Sequence, residues 1–273
     1  MTLVSTDWLN KNLSKVKIID ASWHLVKNRN AIEEYNEEHI ENAIFFDLNK
    51  NSNQRKNLPP GHFLPTLKEH EKAVSEMGIS NNDTLVIYDN SSLMSACRCW
   101  FQFIYYGHSA KLVHVLDGGF KKWKLENKEI SNKKTKIVKS KYYAKENKNM
   151  VKNKIEIKNN IEKKEFILVD ARSKNRFLGL EPEPRPNVRS GSIENSKSLP
   201  FLDLINKNYK TFLPKKNLEE KFASIGLKNQ KNVVFTCGSS VTASVLGLAY
   251  KEINNNYTPA IYIGSWSEYG KIK

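Results

Sequence analysis

Asn232-Val233-Val234-Phe235-Thr236-Cys237-Gly238-Ser239-Ser240-Val241-Thr242-Ala243 is the stretch on which the reading of this chain turns. Its short apolar start reads as a buried parallel strand. The apolar run that follows, Ser244-Val245-Leu246-Gly247-Leu248-Ala249-Tyr250, suits a helix. Cys237 therefore sits at a strand-to-helix turn. Backbone N–H groups and a helix N-terminus at such a turn hold an anion, the cysteine's own thiolate included. A free cysteine is more often a small buried hydrophobe. Here small or polar residues fill four of the next five positions, which builds a tight loop and not a core.

Outward from this stretch, the chain repeats itself. Val16-Lys17-Ile18-Ile19-Asp20 matches Phe166-Ile167-Leu168-Val169-Asp170, and His39-Ile40-Glu41-Asn42-Ala43 matches Ser192-Ile193-Glu194-Asn195-Ser196. Asp83-Thr84-Leu85-Val86-Ile87-Tyr88-Asp89 matches the strand that ends at Cys237. Leu112-Val113-His114-Val115-Leu116-Asp117-Gly118-Gly119 matches Ala260-Ile261-Tyr262-Ile263-Gly264-Ser265-Trp266. Each half alternates short Val/Ile-rich runs with helical segments. That predicts an α/β fold of two tandem domains, each a mainly parallel sheet flanked by helices, with ligands beyond the carboxyl ends of the strands. The expected division is a first domain over 1–130, a basic connector over 131–150 crossing the surface as a solvated charge run, and a second domain over 151–273. Only the second half has the reactive cysteine; the first carries Asp89 in its place.

Composition narrows the class. The 273 residues carry a formal charge of +15, yet the lysines are dispersed among asparagines and no nucleic-acid-binding pattern appears. No nucleic-acid partner is expected, although a basic field helps attract anionic substrates. Three cysteines, Cys97, Cys99 and Cys237, make neither a disulfide framework nor a metal cluster, which fits a reducing compartment. The first residues lack a basic n-region and an apolar h-region, and the longest apolar run is too short to span a bilayer. No signal peptide and no membrane association are expected, and the location read from this is cytoplasmic.

Further segments carry a resemblance. Val4-Ser5-Thr6-Asp7-Trp8-Leu9, Asp20-Ala21-Ser22-Trp23, His62-Phe63-Leu64-Pro65 and Ser95-Ala96-Cys97-Arg98 stand in the first half. Asp170-Ala171-Arg172-Ser173, Glu181-Pro182-Glu183-Pro184-Arg185 and Gly264-Ser265-Trp266-Ser267-Glu268-Tyr269-Gly270 stand in the second. Nearly end to end, the chain resembles the tandem-domain rhodaneses, a sulfurtransferase family, and within it the branch that uses 3-mercaptopyruvate. That branch has Cys-Gly-Ser at the loop start, as in Cys237-Gly238-Ser239, where thiosulfate-preferring members usually have Cys-Arg-Lys.

The resemblance implies a sulfane sulfur carried from 3-mercaptopyruvate on a Cys237 persulfide to cyanide or a thiol acceptor, such as thioredoxin or a low-molecular-weight thiol. It implies no cofactor and no metal. Catalytic roles fall on Cys237, Ser239 and His62. The persulfide loop is Gly238, Ser239, Ser240, Val241 and Thr242, whose amides are expected to face the sulfur. Substrate binding falls on Arg176 and Arg185, since a guanidinium fork suits a planar α-keto acid. The competing reading of each arginine is a surface ion pair with Glu181 or Glu183. The family's Ser-His-Asp relay lacks its third member, which falls on Asn49. Where the family has Gly, the loop has Ser240, a source of strain if that position needs a positive φ. The alternatives are a thiosulfate sulfurtransferase and a non-catalytic binding module on the same fold. A Cys-x5-Arg phosphatase or arsenate reductase is disfavoured, because the sixth residue after Cys237 is Ala243.

Overall fold

The computed structural model describes residues 2–53, 55, 58 and 61–272. The chain divides into two compact units. The first takes Met1–Asn53, Leu64–Asn147 and Lys207–Thr211; the second takes Gln54–Phe63, Lys148–Asn206 and Phe212–Lys273.

Among the described residues, the strands of the first unit are β1 (Leu3–Val4), β2 (Lys17–Asp20), β3 (His39–Ile40), β4 (Ala43–Phe45), β5 (Leu85–Tyr88), β6 (Val113–Leu116) and β7 (Ile130–Ser131). Its helices are α1 (Thr6–Asn10), α2 (Ala31–Glu37), α3 (Leu67–Glu76), α4 (Ala96–Tyr105) and α5 (Gly119–Leu125). The second unit has strands β8 (Val151–Lys152), β9 (Ile167–Asp170), β10 (Lys197–Ser198), β11 (Val233–Thr236) and β12 (Ile261–Tyr262). Its helices are α6 (Lys154–Lys163), α7 (Lys174–Leu178), α8 (Lys215–Ser224), α9 (Val241–Ile253) and α10 (Ser265–Tyr269).

The main sheets are five-stranded and parallel throughout, in the order β1-β6-β5-β2-β4 in the first unit and β10-β9-β11-β12-β8 in the second. Read from opposite ends, the two orders are the same: β2 corresponds to β9, β4 to β10, β5 to β11, β6 to β12 and β1 to β8. The repeat seen in the sequence is thus a repeat of topology. The central strands β5 and β11 are buried at every position, as expected of parallel strands covered on both faces.

The matching asparagines of the two repeats share a backbone geometry. Asn42 and Asn195 stand at corresponding places with φ of 61° and 60°. Asparagine tolerates this left-handed region better than other side-chain-bearing residues. The expected connector is largely exposed and is also tied down along its length. Its residues through Asn147 belong to the first unit, where β7 pairs antiparallel with β3. Ser140 N–H then donates to Ser75 O at 3.0 Å, and Tyr142 is buried.

Candidate active site

Cys237 closes β11 and is buried, and the first turn of α9 begins four residues later. A second element shapes this turn from beneath. The first amides of α10 seize the loop's carbonyls: Trp266 N–H donates to Cys237 O at 2.9 Å and Ser267 N–H to Gly238 O at 3.0 Å. Ser265 Oγ accepts from the amides of Cys237 at 3.4 Å and Ser240 at 3.0 Å, and donates to Tyr262 O at 2.8 Å.

This corrects one expectation. The Ser240 amide donates to Ser265 Oγ and is not free for the sulfur. The same geometry answers the question of Ser240, which sits at φ 66° as the residue before α9. A left-handed serine costs roughly 1–2 kcal/mol. The site offsets that cost locally: Ser240 Oγ donates to His62 O at 3.3 Å, and Ser240 O accepts from Ser244 Oγ at 2.9 Å. Thr242 lies inside the helix and not at its cap.

Arg176 and Arg185 converge on the loop. A Cβ placed on Gly238 would lie 3.2 Å from Arg176 Nη2 and 3.4 Å from Arg185 Nη1, so this position must stay bare for both guanidiniums to reach it. Arg185 Nη2 donates to Ser239 Oγ at 2.8 Å. Burial pulls Arg185 below its ordinary pKa, while the Cys237 sulfur beside it pulls it back up. His62 Nδ1 lies 3.3 Å from the same Ser239 Oγ. With Oγ accepting from a guanidinium, the hydroxyl can donate to His62 Nδ1 in the tautomer that leaves that nitrogen unprotonated. Gly61 fits against this group, since a Cβ there would come within 3.1 Å of Ser267 Oγ and 3.8 Å of Ser239 Cβ.

His62 was read as a first-half residue, yet by its contacts the segment 54–63 belongs to the second unit. Asn49, at the vacant relay position, accepts from Trp23 Nε1 at 3.0 Å. Asp47 accepts from the amides of Asn49 and Lys50 and closes a turn. Both are described within the first unit.

Sequence reasoning missed the frame behind the arginines. Arg172 is buried, pairing with Asp170 at 2.6 Å and Glu183 at 2.7 Å and donating to Gly191 O at 2.8 Å. Its guanidinium carbon lies 4.6 Å from the Trp266 ring centroid, as does that of Arg189, so two cations flank one indole. Glu183, the proposed surface partner of the arginines, does pair with Arg176, at 2.5 Å, but its side chain is only 2% exposed. The Pro-Glu-Pro frame around Glu183 was the available signal: a carboxylate between two prolines has few conformations to lose. Among the described residues, no group of three or more His, Cys, Asp or Glu side chains is placed to hold a metal ion.

A cysteine at the carboxyl end of a parallel strand, in a loop of small residues overhung by two guanidiniums, is built to hold sulfur as an anion and to meet an anionic donor. The rhodanese-like domain profile matches residues 5–126 and again 154–271. The chain belongs to the rhodanese family, in its tandem-domain sulfurtransferase form. It is 35% identical to thiosulfate/3-mercaptopyruvate sulfurtransferase 1, mitochondrial, of Arabidopsis thaliana, over 98% of this chain and 75% of that protein. It is 33% identical to the 3-mercaptopyruvate sulfurtransferase of Homo sapiens, over 98% of this chain and 91% of that one. Among solved structures, SseA of Escherichia coli, described as a 3-mercaptopyruvate sulfotransferase with the rhodanese fold, superimposes with a TM-score of 0.86. Its sequence is 26% identical, with 97% of this chain and 99% of that chain covered.

Proposed function

We propose that this sulfurtransferase takes its sulfur from 3-mercaptopyruvate, carries it as a persulfide on Cys237 and hands it to a thiol. The observation that carries the reading is the convergence of Arg176 and Arg185 over Gly238, beside the Cys237 loop. Two guanidinium forks at that point suit the carboxylate and ketone of an α-keto acid.

The Cys237 thiolate attacks the donor's sulfur. The donor's C–S bond breaks, and its electron pair leaves on carbon as the enolate of pyruvate. Covalent capture splits one difficult transfer into two easier ones. The amides of Gly238, Ser239, Val241 and Thr242 stabilise the sulfur anions. Ser239, polarised by Arg185 and hydrogen-bonded to His62, passes a proton to the enolate, giving pyruvate, and is reprotonated from solvent through His62. An incoming thiolate, from thioredoxin or a low-molecular-weight thiol, then attacks the outer sulfur and returns Cys237 as thiolate.

The second reading, thiosulfate as donor, is favoured by the name of the Arabidopsis relative, which includes both compounds. A side-by-side assay decides: kcat/KM for 3-mercaptopyruvate should exceed that for thiosulfate, and the reverse order would overturn the choice of donor. We place the reaction in the cytoplasm on the strength of three free cysteines. No helix among the described residues is long and apolar enough to cross a membrane. Fractionation tests the location, and recovery in mitochondria, the compartment named for the Arabidopsis relative, would overturn it.

A further inference from the structure

Glu183 stands between the two arginines that flank it in the fold. Its Oε1 accepts from Arg172 Nη1 at 2.7 Å and Arg176 Nε at 3.2 Å, and its Oε2 from Arg176 Nη2 at 2.5 Å. Arg172 is in turn held by Asp170. Arg172 is thus offset by Asp170, and the two guanidiniums that stand at Gly238, Arg176 and Arg185, have one carboxylate, Glu183, bound to the first of them, which leaves one positive charge between the pair before the Cys237 thiolate is counted. The loop itself adds none, since its residues from Gly238 to Thr242 are uncharged. A 3-mercaptopyruvate molecule with its thiol protonated carries one negative charge, and thiosulfate carries two. A buried carboxylate left without a partner is costly, and the paired Glu183 subtracts charge at the place where the donor's anion must sit.

We propose that Glu183 sets the donor's charge, positioning Arg176 while cancelling enough positive field to favour a monoanion over a dianion. The proposal rests on the α-keto thiol reading of the same site, and it extends that reading from the shape of the donor to its charge. It also explains why two arginines at the mouth do not make a dianion site: one of them is already paired.

Glu183→Gln keeps the size and one acceptor but removes the charge. It should raise the thiosulfate-to-3-mercaptopyruvate ratio of kcat/KM about tenfold, because an added unit of positive charge favours the dianion more. It should also lower the pH midpoint for alkylation of Cys237 by iodoacetamide, a readout that uses no sulfur donor. Glu183→Asp keeps the charge and should leave ratio and midpoint near wild type. If the glutamine variant does not fold, Glu183→Ser makes the same charge change and admits water between the arginines, with the same expected shifts.

Equal loss with both donors and an unmoved alkylation midpoint would make Glu183 a structural strut and overturn the proposal. If the wild-type protein ignores 3-mercaptopyruvate, the donor assignment fails. The alkylation midpoint then still decides whether Glu183 tunes the field at Cys237.

Discussion

After β5, Asp89 folds its own carboxylate back into the start of α4, taking the amides of Ser91 and Ala96 at 2.8 Å each. After β11, at the corresponding point of the same strand order, Cys237 leaves a loop of small residues under two guanidiniums. The supports match closely: Phe120 N–H donates to Asp89 O at 3.0 Å, as Trp266 N–H donates to Cys237 O. What differs is who fills the anion position. In the first unit the protein supplies a permanent internal anion, with Lys210 nearby donating to Ser91 O at 3.2 Å. In the second the corresponding residue is Cys237, which on the proposed mechanism takes up and releases a sulfur. The lesson is that this turn is an anion holder by geometry, and a catalyst only where its anion is exchangeable.

The comparison breaks most sharply at the sulfur itself. Cys237→Ser should abolish sulfur loading, and Asp89→Cys in that background should not restore it, because the cations at the first loop are engaged elsewhere: Arg29 pairs with Glu34 and donates to Asn90 O, and Lys210 donates to Ser91 O. Mass spectrometry after incubation with 3-mercaptopyruvate should place one added sulfur on Cys237. Sulfur found on Cys97 or Cys99, with Cys237→Ser still active, would sink the assignment. Those two cysteines are buried, and burial pushes both thiols well above their ordinary pKa.

Next in size is the loss of His62. A chain of residues 145–273 retains Cys237 and the arginines but not the segment 54–63, and should lose most of its turnover even when folded. Full turnover would show that the Ser239–His62 contact is dispensable.

Arg185→Ala removes a charge-assisted contact, a loss of about 1.5–3 kcal/mol. That corresponds to roughly a ten- to hundredfold fall in kcat/KM for 3-mercaptopyruvate; thiosulfate forfeits no carboxylate contact but, as the dianion, loses more from the missing positive charge, so a larger fall for 3-mercaptopyruvate marks a directed carboxylate contact that outweighs the field. Arg176→Ala should harm both donors. An equal loss with both donors for Arg185→Ala would reduce it to a structural charge.

Ser265→Ala tests the platform that the cysteine loop needs. It strips one acceptor from two buried amides and should cost about 1–3 kcal/mol, read as a lower melting temperature with reduced turnover. An unchanged melting temperature would mean that α10's amides alone hold the turn.

The smallest effect concerns the resident anion. Burial, only partly opposed by its two amide donors, raises the Asp89 pKa from 3.8 to about 6. A carboxyl whose folded pKa lies above its unfolded value binds its proton more tightly when folded. It therefore weakens the fold as pH rises from about 4 to 6, and the full cost is present above that window. Buried His70, pushed down to about 3, gives the opposite slope, but it is present in both proteins being compared. Asp89→Asn should accordingly gain on wild type in melting temperature as pH climbs through the window, by less than about 3 kcal/mol. Parallel curves would show that Asp89 is ionised without cost.

Much of this was legible in the chain. The Val/Ile-rich runs and their ordered repeats specify parallel sheets, because a strand buried on both faces has no polar alternation to lose. Cys237 and its small neighbours announce a strand-to-helix turn, and Arg176 and Arg185, singled out in the sequence, lie beside Gly238. What stayed hidden depends on partners far away in sequence. Ser265 is an ordinary serine until the loop of Cys237 and Ser240 is laid over it. Glu183 reads as a surface charge until Arg172 is seen buried beside it. His62 reads as part of the half that precedes it, because no local pattern tells which compact unit a loop will join.

The way the two units share the chain has a consequence for synthesis. The first unit includes Lys207–Thr211, so a chain emerging from a ribosome cannot complete that unit when its last long stretch, ending at Asn147, appears. Lys210 arrives only after β8, β9 and β10 have been made. Until then the Asp89 turn waits without the cation that donates to Ser91 O. The second unit has the reverse schedule: its segment 54–63, with His62, is made long before the cysteine it serves. Vectorial folding of this protein is therefore interleaved, and a pause in translation between residues 147 and 207 would hold the first unit unfinished.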